Sequence, residues 1–221
     1  MPTGTPTARD AAAVRVLLDR AGRTYAQEAR ITLKDQPKPL FQLLVLALLL
    51  STRISAGIAT RTARELFHAG WRTPRTLRDA PRPEVIAALQ RGHYTRYDES
   101  TATRLRAAAE HVDDEYRGDL RGLAERSGHV PAAAVRLLEE FDGIGPVGAE
   151  IFLREVQDTW PWLRPHLDER ALAGAEALGL PRDAAALGDL ARPGEVAQLA
   201  AALVRVTLDA SLPETVRTEA R

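Results

Sequence analysis

Along most of the chain apolar residues recur at intervals of three and four, and no stretch alternates with period two over a strand's length, so the pattern predicts an all-α protein. Thr7 followed by Asp10 reads as a capping box opening a helix through Leu18, which Gly22 stops. Residues 31–39 are largely polar, hold two prolines and read as a connection. An apolar helix is predicted over residues 40–51, then Ser55 as N-cap of a helix through Phe67 that Gly70 ends. Short helices over 75–80 and 84–90, separated by prolines, precede a polar loop over 93–99 and a helix over 100–112. Pro131 opens a helix to Glu140 and Pro146 another to Gln157, because the fixed φ of proline suits a first turn. The tail is predicted helical over 167–178 and 194–209, with its last dozen residues frayed.

A chain of 221 residues, 45% hydrophobic and 27% charged, can bury a full core. Its longest apolar run ends at Leu50 and reaches back no further than Pro39, short of the roughly 20 residues of a membrane span. With no signal peptide ahead of that run, a cytosolic location is expected. There is no cysteine, which excludes disulfides, thiolate zinc sites and a cysteine-held iron–sulfur cluster. Lys34 and Lys38 are the only lysines, so no mechanism can draw on a lysine amine elsewhere. The formal net charge is zero, but residues 40–110 hold eleven arginines against six acidic residues. This basic middle permits a local anion-binding face, and it equally fits an arginine-rich solvated surface.

The most informative segment is residues 137–149. A helix ends, Gly143 and Gly145 flank the single apolar Ile144, and a second helix opens at Pro146. Glycine allows the backbone conformations such a hairpin needs, and Ile144 can anchor it in the core. The amides so freed, with the positive end of the second helix, suit a phosphate oxygen. Pro146 removes one donor, leaving Gly143, Gly145 and their neighbours to supply the contacts. An ordinary tight helix–helix corner would carry the same residues.

This segment resembles the helix-hairpin-helix of the endonuclease III superfamily of DNA glycosylases, and the resemblance runs over roughly residues 39–180. By that resemblance Gly143, Ile144, Gly145 and Gly148 form the DNA-backbone contact. The apolar helix ending at Ser51, Thr52 and Arg53 resembles the family's opening barrel helix, which implies that Arg53 enters the gap left by an extruded nucleotide. The loop Gly92, His93, Tyr94 resembles the second DNA-facing loop, with His93 as the wedge from the other side. Residues 160–168 resemble the segment carrying the family's essential aspartate at a helix start, which makes Asp168 the implied catalytic carboxylate; by residue type alone it is a good N-cap. Trp160, Trp162, Tyr94 and Tyr97 are candidates to stack on an extruded base, and His166 to donate a proton or contact a phosphate, though each also fits a packed position.

Two departures refine what the resemblance implies. Bifunctional members carry a lysine where this chain has Val147, and valine cannot form a Schiff base. The four cysteines that hold an iron–sulfur cluster in many relatives are missing, so no cofactor is expected and the helices after Leu178 must hold together by packing. Asp142, Glu150 and Glu155 also surround the hairpin, with Arg154 to offset them. The expectation is therefore two helical lobes: residues 40–157 as a barrel domain with the helix-hairpin-helix at about 131–157, and residues 1–39 plus 158–221 as a second lobe. The implied activity is that of a monofunctional DNA glycosylase of base excision repair, hydrolysing the N-glycosidic bond of a damaged base, with alkylated purines favoured. The implied partner is double-stranded DNA holding such a base, bound by a cytoplasmic, nucleoid-associated monomer. The alternatives are a catalytically inactive DNA-structure-binding protein of the same fold and an all-helical interaction protein.

Overall fold

A computed structural model describes residues 7–220, and within them the chain is helical throughout, with no β-strand. Residues 1–6 and 221, assigned from the sequence to the second lobe, lie outside the described residues. The chain divides into two compact units, one central (Tyr25–Leu153) and one built from both chain ends, with boundaries after Thr24 and Leu153. Residues 25–39 therefore go with the central unit, and residues 154–157 with the outer one.

The central unit opens with a single turn, α2 (Tyr25–Glu28), which follows α1 (Ala8–Ala21) of the outer unit. Its axis is α3 (Pro37–Leu50), in which all ten residues 40–49 are buried. A helix apolar on every face is stable only when surrounded. Here α4 (Ala56–His68) and the long α7 (Asp98–Tyr116) pack against it, α5 (Pro74–Arg78) packs on α7, and α6 (Arg82–Arg91) bridges α4 and α7. The helix starts three residues before the predicted boundary, because Pro37 and Pro39 occupy a first turn whose amides need no helical partner. Two short helices follow α7, namely α8 (Arg121–Arg126), which the sequence pattern did not predict, and α9 (Pro131–Glu139). The next helix, α10 (Pro146–Val156), carries the chain across the unit boundary.

The outer unit packs α1, α11 (Glu169–Leu178), α12 (Ala184–Leu190), α13 (Val196–Val206) and α14 (Leu212–Glu219) around Leu17, Ala171, Leu199 and Leu203. Helices α11 and α13 approach so closely that a Cβ on Gly174 would lie 2.0 Å from the Leu203 carbonyl oxygen, so only glycine fits there. Up to Ala220 the C-terminal segment is ordered rather than frayed, with α14 over Leu212–Glu219. Leu212 and Val216, four residues apart on one face of α14, are buried in this core, and Arg20 pairs with Glu219 at 2.5 Å. The guanidinium of Arg205 donates to the carbonyls of Ala21 and Arg23, satisfying the end of α1. Among the described residues no helix is long and apolar enough to cross a membrane.

Candidate functional site

Between α9 and α10 the chain turns in six residues, with Phe141 and Ile144 buried at 1% and 3% exposure. Gly143 adopts φ +89°, which is why the turn needs glycine, and a Cβ there would also push on the Arg104 side chain, whose Cδ lies 2.7 Å from that position. Ile144 spends its amide on the Phe141 carbonyl at 2.9 Å. That corrects the sequence assignment of Ile144 as a ligand contact: it anchors the hairpin and offers neither side chain nor amide. The amides of Gly143, Gly145, Val147 and Gly148 make no hydrogen bond to any described residue, and the first turn of α10 holds no acidic side chain. They form a short run of free donors at the positive end of an eleven-residue helix.

A set of close contacts organises the surroundings of that run around the C-terminal end of α3. A Cβ on Gly148 would lie 2.1 Å from Ser51 Oγ, so the first turn of α10 sits directly on the last residues of the α3 corner. Gly148 is thereby buried and acts through close approach, leaving only its amide to offer. Ser51 itself is held by donating to Ala47 O at 2.7 Å. One residue on, Thr52 Oγ1 donates to Leu49 O at 3.1 Å and lies 2.6 Å from the Tyr94 hydroxyl, which Thr101 Oγ1 meets at 3.5 Å. This chain of hydroxyls ties the Arg53 turn to the His93 turn, and such chains polarise one another when buried.

Tyr94 is therefore a pin rather than a stacking platform. It is fully buried, which overturns its assignment to a base pocket. The side chains on either side of the pin are exposed. Arg53 forms no ion pair with any described residue, and His93 holds φ +67° at the end of α6, where the Cβ-free Gly92 lets that helix touch Thr62. The structure thus brings Arg53, His93 and the hairpin glycines to one corner of the central unit. It adds a residue the sequence analysis missed: Arg104 of α7 lies across Gly143, 3.8 Å from Asp142. No sequence spacing signals that, because α7 and the hairpin are separated by more than one helix. Val147 is 63% exposed at the start of α10. Tyr97 sits under Arg96, whose guanidinium carbon is 5.3 Å from its ring centre.

In the outer unit, Asp168 is the N-cap of α11. One carboxylate oxygen accepts from the Ala171 amide at 2.9 Å, and the other is paired with Arg154, whose side chain is 3% exposed against 10% for the aspartate. The cation expected to offset the hairpin acids is thus committed elsewhere, which corrects that assignment. Arg154 Nε is buried without a partner among the described residues. The loop before Asp168 is fixed from below by the fully buried Gln157, which accepts from the His166 amide at 2.8 Å and donates to the carbonyls of His166 and Arg154, both at 3.0 Å. Trp160 is 3% exposed and stacked on the half-buried Trp162 at 5.7 Å between ring centres. Trp160 therefore has no open face for a base, a second correction to the pocket assignment, whereas part of Trp162 reaches the surface.

Among the described residues no group of three His, Asp or Glu side chains is placed to hold a metal ion. No family model matches the chain, and no curated protein matches it. Solved structures similar to it include the following two. One is a trapped endonuclease III–DNA covalent intermediate in an estranged-adenine complex, 15% identical, covering 86% of this chain and 83% of that chain with a TM-score of 0.47. The other is a non-covalent endonuclease III–DNA complex, 15% identical, covering 86% and 82% with a TM-score of 0.49. Likeness this distant transfers neither residue roles nor activity.

Proposed function

We propose that this protein is a DNA glycosylase that releases a damaged base by hydrolysis, without a lyase step. The observation that supports this most is the corner at the end of α3, where unspent backbone amides share one edge with Arg53 and His93. Amides at a helix start bind a phosphate oxygen without regard to base sequence, as a repair enzyme scanning a duplex requires. An exposed arginine and an exposed histidine flanking a rigid pin suit insertion into a duplex from which one nucleotide has been extruded, a distortion costing a few kcal/mol that damaged bases lower.

Asp168 is the proposed catalytic carboxylate. Each of its oxygens is engaged once, by the Ala171 amide and by Arg154, so each retains a lone pair for a substrate. Breakage of the glycosidic bond puts positive charge on the sugar, which a fixed carboxylate stabilises while water adds to the anomeric carbon; the water's proton goes to the departing base or, where that base is already cationic and leaves neutral, to solvent. Position 147 is valine, so no amine is available there to form a Schiff base and the product is an abasic site. Cationic alkylated purines leave readily and are the favoured substrates.

The Arg154 pair favours a second reading. A carboxylate already neutralised by a buried guanidinium is also what a purely structural N-cap looks like, and a DNA-structure-binding protein without catalysis would keep it. Duplexes carrying alkylated purine, hypoxanthine, uracil or oxidised pyrimidine, incubated with the protein and then heated in alkali, separate the two. The glycosylase reading expects strand breaks only after alkali, lost in Asp168→Asn with duplex binding retained. Tight, salt-sensitive binding with no base released from any of these duplexes would establish the second reading instead.

A further inference from the structure

The opposite end of α3 carries a different arrangement. There the segment leading into the helix and the second half of α4 border a pocket of about 810 Å³, within the size range of small-ligand sites. Six cationic side chains line it: Arg30, Lys34, Lys38, Arg61, Arg64 and Arg72. Both lysines of the chain are among them. The one acidic side chain in the lining, Glu65, is bonded to Arg91 Nε at 3.2 Å, so it is not spent on these cations. Arg72 Nε donates to the Phe67 carbonyl at 2.6 Å, and the other five cationic side chains have no partner among the described residues.

Two features separate this pocket from an ordinary charged surface. Cations brought together without counter-charge repel one another, a cost that folding tolerates where a ligand discharges it. In addition, Gln42 lines the pocket from α3, is 9% exposed, and makes no side-chain hydrogen bond with any described residue. Its amide is not sealed from solvent, so its polar atoms are reachable by a ligand in the pocket. The start of α3 adds its positive end, with no acidic residue in the first turn and no side-chain cap.

We infer that this pocket binds a compact anion carrying several closely spaced phosphates. One phosphate bears at most about two charges, too few to discharge five unpaired cations. The cations come from two chain segments bordering one concave space, which suits a ligand held inside it better than a duplex ridge lying across it. The site is distinct from the hairpin corner. The fourteen residues of α3 span about 21 Å at roughly 1.5 Å per residue, and the two features occupy its two ends. The inference stands whether or not the protein releases bases.

Calorimetric titration of the full chain at about 0.15 M salt tests it, with tripolyphosphate, adenosine triphosphate, orthophosphate and a short duplex as probes. Saturable one-to-one binding of tripolyphosphate is expected, at least tenfold tighter than orthophosphate. Tighter binding of adenosine triphosphate than of tripolyphosphate would assign the phosphates to a nucleoside scaffold, and equal binding to a free oligophosphate. The double variant Lys34→Ala, Lys38→Ala should lose tenfold or more, and Gln42→Leu several-fold with no change of charge. Gly145→Asp, at the far end of α3, should bind tripolyphosphate as the wild type does. Absence of saturable binding, or unchanged binding in the lysine double variant, overturns the inference. So does displacement of tripolyphosphate by the duplex together with a tenfold loss of duplex affinity in that variant, which would hand the cations to a nucleic-acid path.

Discussion

The hairpin corner of the central unit and the Asp168 loop of the outer unit are both dense in polar groups, but they hold them in opposite ways. At the corner, four amides have no partner and Arg53 no counter-ion among the described residues. In the loop, both carboxylate oxygens of Asp168 and both ends of the Gln157 amide are engaged. Groups left unpaired at a surface are available to a ligand at no cost of breaking internal bonds. Groups bonded on all sides are fixed in position, and they act on a substrate only through what capacity remains. On the proposed function, the corner suits gripping a ligand and the loop suits holding one carboxylate still.

The largest expected effect breaks the loop's side of this contrast. Asp168→Asn should lower base release by a factor of about 10² to 10⁴, with duplex affinity within about twofold of wild type. Asparagine remains a good N-cap, so α11 should survive. The variant does leave Arg154 buried and unpaired. Arg154→Met should conversely strand the carboxylate, and removing one member of a buried pair costs about 3–5 kcal/mol, measurable by denaturant unfolding. The double variant Asp168→Asn, Arg154→Met should recover most of that loss and still release no base. Recovery of activity along with stability would sever Asp168 from catalysis.

A smaller effect sharpens the corner. Tyr94→Phe removes the middle hydroxyl of the Thr101–Tyr94–Thr52 chain and should cost about 1–2 kcal/mol, with faster amide exchange in the Arg53 turn. Unchanged exchange there would show that packing alone fixes the turn.

The smallest effect lies at the base of the His93 loop. The Gln90 side chain, and then the Glu99 amide, hold the Asp98 carboxyl below its ordinary value. A carboxyl depressed in the folded state contributes stability above its unfolded value, and that contribution is lost as pH falls through the folded one. Gln90→Ala should raise the Asp98 titration midpoint, read by carbon-detected NMR, and confine the effect to acid pH.

Much of the central unit was legible in the sequence because its signals are local. A stretch in which nine of ten residues are apolar reads as a surrounded helix, and glycines at 143 and 145 around one isoleucine read as a sharp corner with a buried tip. The tail was misread for the complementary reason. Leu212 and Val216 are two apolar residues in a polar segment, and their burial depends on α1 about two hundred residues away in sequence. The candidate site divides the same way. Arg53, His93 and the glycines were named from the family resemblance, and the fold brings them to one corner, where their roles are those proposed above. Tyr94, Trp160 and Arg154 were assigned by residue type, and whether an aromatic stacks on a ligand or an arginine offsets an acid depends on neighbours that only the fold supplies. The cationic pocket was invisible for that reason too: residues 31–39 read as a polar connection, and their lysines meet Arg61 and Arg64 only after α3 and α4 have packed.

The grip of the hairpin amides on a phosphate can be tested at one position. Gly145 has open space where a Cβ would go and no positive φ, so it accepts side chains without strain. Fluorescence anisotropy with a labelled duplex, over a series of salt concentrations, should show Gly145→Ala binding like wild type. Gly145→Asp, with its melting temperature unchanged, should be weakened by about tenfold or more through charge repulsion at a few ångströms. Equal affinity for the wild type and Gly145→Asp at every salt concentration would contradict the account.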